Sequence, residues 1–321
     1  MAERLDAQQW AAWWQNGTLT SFQGAFENNY DGSIKHFWNQ HFSRLVSNAN
    51  ILDLGTGNGA LALLAIQYAD EHKQEFQVTG IDNADIQPSA VQGIHFLGNT
   101  PMEHTGMPTG SQDLVLSQFG FEYGEMSATL KEIKRLLKPQ QGRFIAMIHH
   151  QNSAVLKQAR EALQQITRCE KSNLTQTAEA LIELQQQLAS KGVLSSEQQQ
   201  QAQQLHQRFT QGLDKLQRYA RQLKDPTHTQ LFVKNLVLMF DRHNAQRISP
   251  EQRLLALSRI REDQQNYRQR MRDLRAAAFS DPDFARLQQA LKKLGFHIEA
   301  SNPVDYAGQH FCNSLVASLN V

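Results

Sequence analysis

The sequence predicts an α/β protein with a doubly wound sheet of seven strands that a long helical insertion interrupts. Three observations lead to this fold class. Short apolar runs alternate with helical or turn segments up to residue 150. From residue 151 to residue 280, Gly and Pro are rare and apolar residues recur three or four positions apart. The alternation of helix and strand then returns before the C-terminus.

Five apolar runs in the first half of the chain are predicted strands. They are Asn50–Leu54, Gln77–Asp82, Ile94–Gly98, Asp113–Ser117 and Arg143–Ile148. Helix-forming stretches lie between them, including Ala60–Tyr68 and Met126–Leu137, and the second of these ends before Pro139. Strands that alternate with helices pair in parallel and carry helices on both faces of the sheet. A Rossmann-like sheet is therefore expected.

The two ends of the chain are expected to complete this sheet and to cover it. Asp283–Leu294 is a predicted helix, and Phe296–Ala300 and Phe311–Leu319 are predicted strands of a C-terminal β-hairpin. The predicted organisation is an aromatic helical leader or lid over residues 1–45, an α/β core over 46–150, a helical insertion over 151–280, and a helix and hairpin over 281–321 that complete the core. In the leader, Trp10, Trp13 and Trp14 are expected to be packing residues.

The insertion after strand five is expected to be a bundle of about four helices. Breaks at Lys191–Gly192, Asp225–Pro226 and Ser249–Pro250 separate its apolar stripes. The last helix is expected to run from Pro250 to Phe279. Because the insertion follows strand five, we expect it to act as a lid or to select the substrate. A homodimer interface and a docking site for a partner are the alternatives.

Composition argues against several classes of protein. The formal charge is only +1, whereas nucleic-acid binders usually carry strong basic charge. The two cysteines, Cys169 and Cys312, have neither CxxC nor His-rich spacing, which argues against a disulfide framework and a metal site. No apolar run approaches the roughly 20 residues that span a bilayer, and the first residues lack the pattern of a signal peptide. We therefore expect a cytoplasmic protein without a metal and without a membrane partner.

A glycine-rich turn after the first predicted strand is the strongest functional signal. Asp53 precedes Gly55, Gly57 and Gly59 in a G-x-G-x-G spacing, whereas dinucleotide enzymes carry G-x-G-x-x-G. S-adenosylmethionine presents an ammonium and a sulfonium group, which favour nearby negative charge. Asp53 supplies that charge, and Asp82 ends the second strand, where a carboxylate can accept both ribose hydroxyls. The cofactor expected here is S-adenosylmethionine.

The order of motifs over residues 50–148 resembles that of the class I methyltransferases, in particular bacterial enzymes that act on quinone precursors. The segments that carry the resemblance are Ile51–Gly59, Gly80–Asp82, Gly98–Thr100, Met107–Pro108, Ser111–Val115 and Lys134–Phe144. The resemblance implies that Asp53, Gly55 and Gly57 hold the methionine part of the cofactor and that Asp82 holds the ribose. The other predicted cofactor contacts are Tyr30, Thr56, Asn83, Asn99, Thr100, Ser117 and Gln118.

Acceptor and catalytic residues are sought where strands four and five end. Phe119 and Tyr123 are candidates for substrate binding, although this loop is equally compatible with simple packing under the leader. His149 and His150 are candidates for a general base, because the histidine side chain titrates near neutral pH. Adjacent side chains on a strand point to opposite faces, so at most one of the two can face the substrate. Glu122, His36 and His310 are weaker candidates for the same role.

These features together predict methyl transfer from S-adenosylmethionine to a small-molecule acceptor by in-line displacement, with the methylated atom open between O, N and C. One alternative is a protein or RNA methyltransferase, since 20 of the 32 basic residues lie in residues 151–285. The acids that interrupt this basic stretch indicate a solvated helix face instead, and the tetrapeptide typical of amino-directed nucleic-acid methyltransferases is missing. Another alternative is a non-catalytic scaffold whose helical bundle binds a partner.

Overall fold

The computed structural model describes residues 7–15, 17–22, 26–86, 88, 90–241 and 247–319. They fall into two compact units. The first contains the residues up to Lys157 together with those from Asp273 onward, and the second is Gln158–Arg272. The first unit carries the sheet, and the second unit is helical.

The sheet of the first unit has seven strands. They are β1 (Ala49–Leu54), β2 (Phe76–Ile81), β3 (Ile94–Leu97), β4 (Leu114–Gln118), β5 (Arg143–Ile148), β6 (Phe296–Tyr306) and β7 (Gln309–Leu319). The strand order is β3-β2-β1-β4-β5-β7-β6. Strands β1 to β5 are parallel to one another, while β7 runs antiparallel to both β5 and β6. The predicted Rossmann-like sheet with a C-terminal hairpin is confirmed.

Helices cover both faces of this sheet, which explains why its central strands are almost continuously apolar. The helices of the first unit are α1 (Ala7–Trp14), α2 (Gly32–Phe42), α3 (Ala60–His72), α4 (Met126–Leu136) and α10 (Asp281–Lys293). Ile133 of α4 and Leu287 of α10 lie in one buried cluster with Phe144 of β5. Phe42 of α2 packs against Tyr68 of α3 at a ring-centroid distance of 5.8 Å. These two layers bury the strands that position the candidate site.

The C-terminal hairpin is longer than the sequence indicated. Strand β6 continues through Asn302–Pro303 to Tyr306, because it lies at the edge of the sheet, where a proline need not donate a ladder hydrogen bond. Ala307 and Gly308 form the turn with φ angles of +50° and +74°. Two consecutive positive φ angles are typical of a tight hairpin turn.

Between β5 and α10, the described residues form five helices, whereas the sequence predicted about four. Most of this run of five helices belongs to the second unit. They are α5 (Ala154–Lys171), α6 (Leu174–Lys191), α7 (Ser196–Ala220), α8 (Thr227–Phe240) and α9 (Pro250–Ala277). The additional break falls before α6, where Asn173 adopts a left-handed φ of +54°. Asparagine tolerates this conformation better than most residues, so the chain turns there without Gly or Pro. Leu174, Ile182, Phe209 and Leu236 belong to the unit's own buried core.

The strand order reverses between β1 and β4, which makes their carboxyl ends the switch point of the sheet. Ligands of open α/β sheets bind at this point, because the loops on either side of it diverge and leave a crevice. None of the described helices combines the length and the apolar character that crossing a membrane requires.

Candidate cofactor and acceptor site

The glycine turn connects β1 to α3 at the switch point. Gly55 and Gly57 have φ angles of +69° and +53°, a left-handed conformation that favours glycine. A Cβ on Gly55 would lie 3.0 Å from the Cα of Gly120, which follows β4. The backbones after β1 and β4 therefore come into direct contact, and a side chain at position 55 would separate them.

Asp53 lies at the end of β1 and is only 2% exposed. Its Oδ2 accepts a hydrogen bond of 2.7 Å from the hydroxyl of Thr56. The pKa of Asp53 is raised to about 7, chiefly by burial and also by the nearby Asp82, while the Thr56 hydrogen bond opposes the rise. Asp53 has no ion-pair partner among the residues that the structure describes. Among these described residues, no cationic side chain is paired with this buried acid.

Asp82 follows β2 and connects the two loops at this edge. Its Oδ2 accepts the Gly57 N–H at 2.9 Å and its Oδ1 accepts the Ala84 N–H at 2.9 Å. Burial raises the pKa of Asp82, and these two backbone hydrogen bonds oppose that rise. Each carboxylate oxygen keeps a second lone pair, so Asp82 can still accept hydrogen bonds from a ligand.

Three more of the predicted cofactor contacts, Asn83, Asn99 and Thr100, lie close to Asp82. Asn83 is exposed, and the Asn99 side chain lies 3.5 Å from the Asp85 carboxylate. The Thr100 N–H donates to the Asp82 carbonyl at 2.9 Å, whereas the Thr100 hydroxyl donates to the Gly98 carbonyl. Asn83 and Asn99 therefore keep side-chain donors and acceptors available, while Thr100 mainly fixes the loop.

The leader lies directly over the glycine turn. A Cβ on Gly57 would lie 2.5 Å from the indole ring of Trp14. The Asn58 side-chain amide donates to the carbonyls of Trp14 and Thr18, at 2.9 and 2.8 Å. Trp10 and Trp14 also pack against a small apolar cluster that contains Ala84. Apart from its aromatic richness, nothing in the leader's sequence points to this contact, which depends on residues more than 40 positions away.

Gln118 is the last residue of β4 and lies beside two aromatic residues of the leader, Trp38 and Tyr30. Its Oε1 accepts a hydrogen bond from the Trp38 indole N–H. Burial raises the pKa of Tyr30, and the Gln118 side chain opposes that rise. The Gln118 Nε2 faces the Tyr30 hydroxyl and is otherwise buried without a hydrogen-bond partner among the described residues. The amide nitrogen has two N–H groups, so the second is a candidate donor to a ligand.

Ser117 has a different part in the same strand. Its hydroxyl donates to the Leu54 carbonyl at 2.8 Å and accepts the Phe121 N–H at 2.9 Å, and the residue is fully buried. Both hydrogen bonds stay within the protein. Ser117 thus connects β1 to the loop after β4, and its predicted contact with the cofactor would require one of these bonds to be shared.

The two histidines after β5 have separate neighbours, as strand alternation predicts. Glu122 Oε1 accepts the His149 backbone N–H at 2.9 Å and lies 2.7 Å from His149 Nδ1. His150 instead contacts the exposed carboxylate of Asp281 at 3.1 Å and lies 5.2 Å from the His310 ring. His36 contacts Gln40 on the exposed side of α2. Of these histidines, only His149 has a buried carboxylate partner.

Phe119 and Tyr123 face different parts of the leader. Phe119 has a φ of +62°, and its ring lies 4.2 Å from His149 and 5.3 Å from Phe22. Tyr123 meets Trp10 edge to face at 5.5 Å. Phe311 of β7 completes the first group, 5.1 Å from Phe22. The sequence offered no signal for Phe22 or Phe311 at this position, because they come from opposite ends of the chain.

Residues 52–146 match a family described as a methyltransferase domain. The match begins within β1 and ends within β5. It contains all the predicted cofactor residues except Tyr30. No curated protein matches the chain.

Several solved structures are similar to part of the chain. Geranyl diphosphate C-methyltransferase from Streptomyces coelicolor A3(2), with S-adenosyl-L-homocysteine, is 17% identical over 36% of this chain and 42% of that chain, with a TM-score of 0.30. Burkholderia thailandensis 1,6-didemethyltoxoflavin-N1-methyltransferase is 19% identical over 36% and 50%, with a TM-score of 0.29. A chain in the complex of the Haloferax volcanii Trm112 activator with a putative methyltransferase is 25% identical over 36% and 52%, with a TM-score of 0.31. The matched part spans about half of each structure.

Proposed function

Because residues 52–146 are a class I methyltransferase domain, whose cofactor is S-adenosylmethionine, we propose that this chain transfers the cofactor's methyl group to a small-molecule acceptor. The observation that carries the proposal is the pair of acids around the glycine turn. Asp53 is buried and has no cationic partner in the described part of the chain, and Asp82 is fixed by two backbone N–H groups. A cationic nucleoside supplies the charge that this arrangement lacks.

The residues at the switch point fit the parts of S-adenosylmethionine. Asp53 would bind the ammonium of its methionine part, and ionisation of Asp53 becomes favourable once a cation lies beside it. Asp82 would accept the ribose hydroxyls. Asn83 and Asn99 would lie beside the adenine, and Gln118 Nε2 would donate to the cofactor from β4. At Gly55 and Gly57 the absence of a side chain lets the turn lie against the Gly120 backbone and the Trp14 ring, which fixes the two acids on either side of it.

The cofactor supplies an electrophilic methyl group on a sulfonium, and the chain supplies position. Holding two reactants in a near-attack geometry lowers the activation free energy by about 7 to 11 kcal/mol. The leader's aromatic rings exclude water from this edge, which strengthens the interaction of the two acids with a cation. Phe119 and Tyr123 are proposed to contact the acceptor, and His149 to accept its proton.

The helical unit is proposed to select the acceptor, since the chain enters it shortly after β5 and His149. Replacing Gln158–Arg272 by a short Gly/Ser linker should leave cofactor affinity within about threefold, because the predicted cofactor contacts lie outside that range. Turnover should be lost. Unchanged turnover in a variant with wild-type thermal unfolding would remove this role.

A tritium-transfer screen tests the proposed activity. The protein is incubated with methyl-tritiated S-adenosylmethionine and separate metabolite, protein and RNA fractions, and label should accumulate in a small-molecule product. Asp82→Ala should reduce the transfer about 10- to 100-fold at low cofactor concentration. This factor corresponds to the free energy of the lost hydrogen bonds between the ribose and a charged carboxylate. Asp70→Asn, an exposed acid on α3, is the matched control. Label in protein or RNA alone would contradict the choice of acceptor.

A further inference from the structure

The buried pair of Glu122 and His149 is the feature of the candidate site that the cofactor does not explain. Glu122 lies in the short 3-10 turn Phe121–Tyr123 after β4, and His149 follows β5. The side chains are 0% and 4% exposed. One carboxylate oxygen, Glu122 Oε1, receives both the His149 backbone N–H and the side-chain contact at Nδ1. His149 is therefore held once at its backbone and once at its ring, and the ring's Nε2 is directed away from the carboxylate.

A carboxylate on Nδ1 determines which nitrogen of the ring carries the proton. Glu122 favours a proton on Nδ1, which leaves Nε2 with a free lone pair, and it stabilises the imidazolium that forms when Nε2 accepts a proton. Burying such a pair costs more desolvation than an apolar pair of the same size. Buried acid–base pairs at a cleft are therefore candidates for function.

The rings around His149 indicate what kind of molecule it meets. Phe119, Phe22 and Phe311 have centroids 5.1 to 5.8 Å from one another, and Phe119 and Phe22 lie 4.2 and 6.0 Å from the His149 ring. Planar aromatic molecules pack favourably in such a group of rings. Phe22 is only half-buried, so its displacement would open the group.

The titratable neighbour from the adjacent strand does not compete for the proton. Cys312 of β7 is buried, and burial together with the charge of Glu122 raises the pKa of its thiol well above the usual range. Cys312 is thus a neutral thiol at neutral pH. Glu122 contacts the His149 ring directly, Cys312 lies close enough to Glu122 for its charge to act on the thiol, and Tyr30, whose pKa burial raises, lies near Cys312.

We infer that Glu122 is a positioning residue that holds His149 as the proton acceptor for an aromatic hydroxyl, the acceptor seated among Phe22, Phe119 and Phe311. This inference rests on the proposed methyltransferase function and assigns its acceptor to phenols. The acceptor's O–H proton passes to His149 Nε2, and the oxygen forms a bond to the methyl carbon. The carbon–sulfur bond breaks, its electron pair remains on sulfur, and His149 later releases the proton to water. A phenol suits an imidazole because its pKa of about 10 is within reach of a histidine, unlike that of an alkyl alcohol.

The experiment uses 4-nitrophenol, whose ionised form is coloured, with the full-length protein saturated with S-adenosylhomocysteine. Binding should produce the phenolate band at a pH where free 4-nitrophenol is still protonated. Glu122→Gln keeps an oxygen for the His149 N–H but removes the charge, and it should reduce the phenolate fraction at least about tenfold. His149→Gln should abolish the band. His297→Gln, on the exposed side of β6, is the control and should leave it unchanged.

Turnover supplies the second readout. Methylation of 4-nitrophenol or catechol should exceed that of aniline or cyclohexanol. Glu122→Gln should lower kcat and move the acid limb of the pH–rate profile to lower pH, with KM for S-adenosylmethionine unchanged. A purely structural Glu122 would alter thermal unfolding without moving the profile. Protein that binds S-adenosylhomocysteine but neither ionises nor methylates any phenol would overturn the inference, whereas protein that does not bind the nucleoside would overturn the proposed function itself.

Discussion

The two halves of the site edge differ in how they are assembled. The half formed by β1 and β2 comes from a short stretch of chain, with Asp53, the glycine turn and Asp82 within 30 residues. The half beside β4 and β5 brings Phe22, Glu122, His149 and Phe311 together from opposite ends of the chain. Asp53 in the first half has no cationic partner within the described ranges, whereas Glu122 in the second half is paired with His149. The half at β1 and β2 can be predicted from the sequence because its residues are close together in the chain. The half at β4 and β5 can be recognised only once the fold is known.

The contact between the turns after β1 and β4 should produce the largest effect. Gly55→Ala combines a strained left-handed φ with a Cβ only 3.0 Å from the backbone of Gly120. We expect a loss of about 2 to 5 kcal/mol in the free energy of unfolding, measured by urea denaturation. Gly106→Ala has a similar φ of +71° but open space around the new Cβ, so it should cost only the strain of about 1 to 2 kcal/mol. Equal losses would mean that the close approach is unimportant.

The buried acid of the cofactor half should make stability depend on pH. The pKa of Asp53 is raised to about 7 in the folded state from 3.8, so between these values the folded protein keeps a proton that the unfolded chain has lost. Stability without cofactor should therefore fall as pH rises through this window, by at most about 1.4 kcal/mol per pH unit. Asp53→Asn cannot ionise, so its stability relative to wild type should increase from pH 5 to pH 8 in unfolding experiments.

The same titration should couple to the cofactor. A bound cation favours the ionised carboxylate, so binding below pH 7 should release a proton, detectable by calorimetry in buffers of different ionisation enthalpy. Asp53→Asn should remove this release and Asp70→Asn should retain it. A release that persists in Asp53→Asn would assign it to another group.

Docking of the leader should give a smaller effect. Asn58→Ala removes two hydrogen bonds to the leader carbonyls of Trp14 and Thr18. Each contributes about 0.5 to 1.5 kcal/mol, so hydrogen exchange over residues 7–15 should accelerate roughly tenfold. Asn29→Ala also removes two side-chain hydrogen bonds, one to the Ala60 carbonyl and one from the Tyr30 N–H, and serves as the matched control. Unchanged exchange in Asn58→Ala would show that aromatic packing alone holds the leader.

The smallest effect is expected on the far side of β5. Asp281 is the carboxylate partner of His150 and its side chain is 82% exposed. Exposed ion pairs contribute about 0 to 1 kcal/mol, so Asp281→Asn should leave turnover within about twofold. A large loss would assign the proton acceptor to His150 and weaken the distinction between the two histidines.

The comparison also explains what sequence reasoning recovered. Local patterns predicted the strands, the parallel pairing and the hairpin, because periodicity and glycine spacing are short-range signals. The break at Asn173 was missed because the chain turns there at an asparagine in the left-handed conformation, and no Gly or Pro marks the position. The extent of β6 was missed because a proline such as Pro303 would end a central strand, whereas an edge strand such as β6 tolerates it. The contacts of Trp14 with Gly57 and of Glu122 with His149 are tertiary. No residue spacing in the sequence predicts them.

Calorimetry with S-adenosylmethionine tests the central claim, that two acids around a bare glycine turn recognise a cationic nucleoside. Wild-type protein should bind it in the micromolar range, the double variant Asp53→Asn, Asp82→Ala should not bind, and Asp70→Asn should match wild type. Absence of binding in folded wild-type protein, or a preference for a nicotinamide dinucleotide, would contradict the claim.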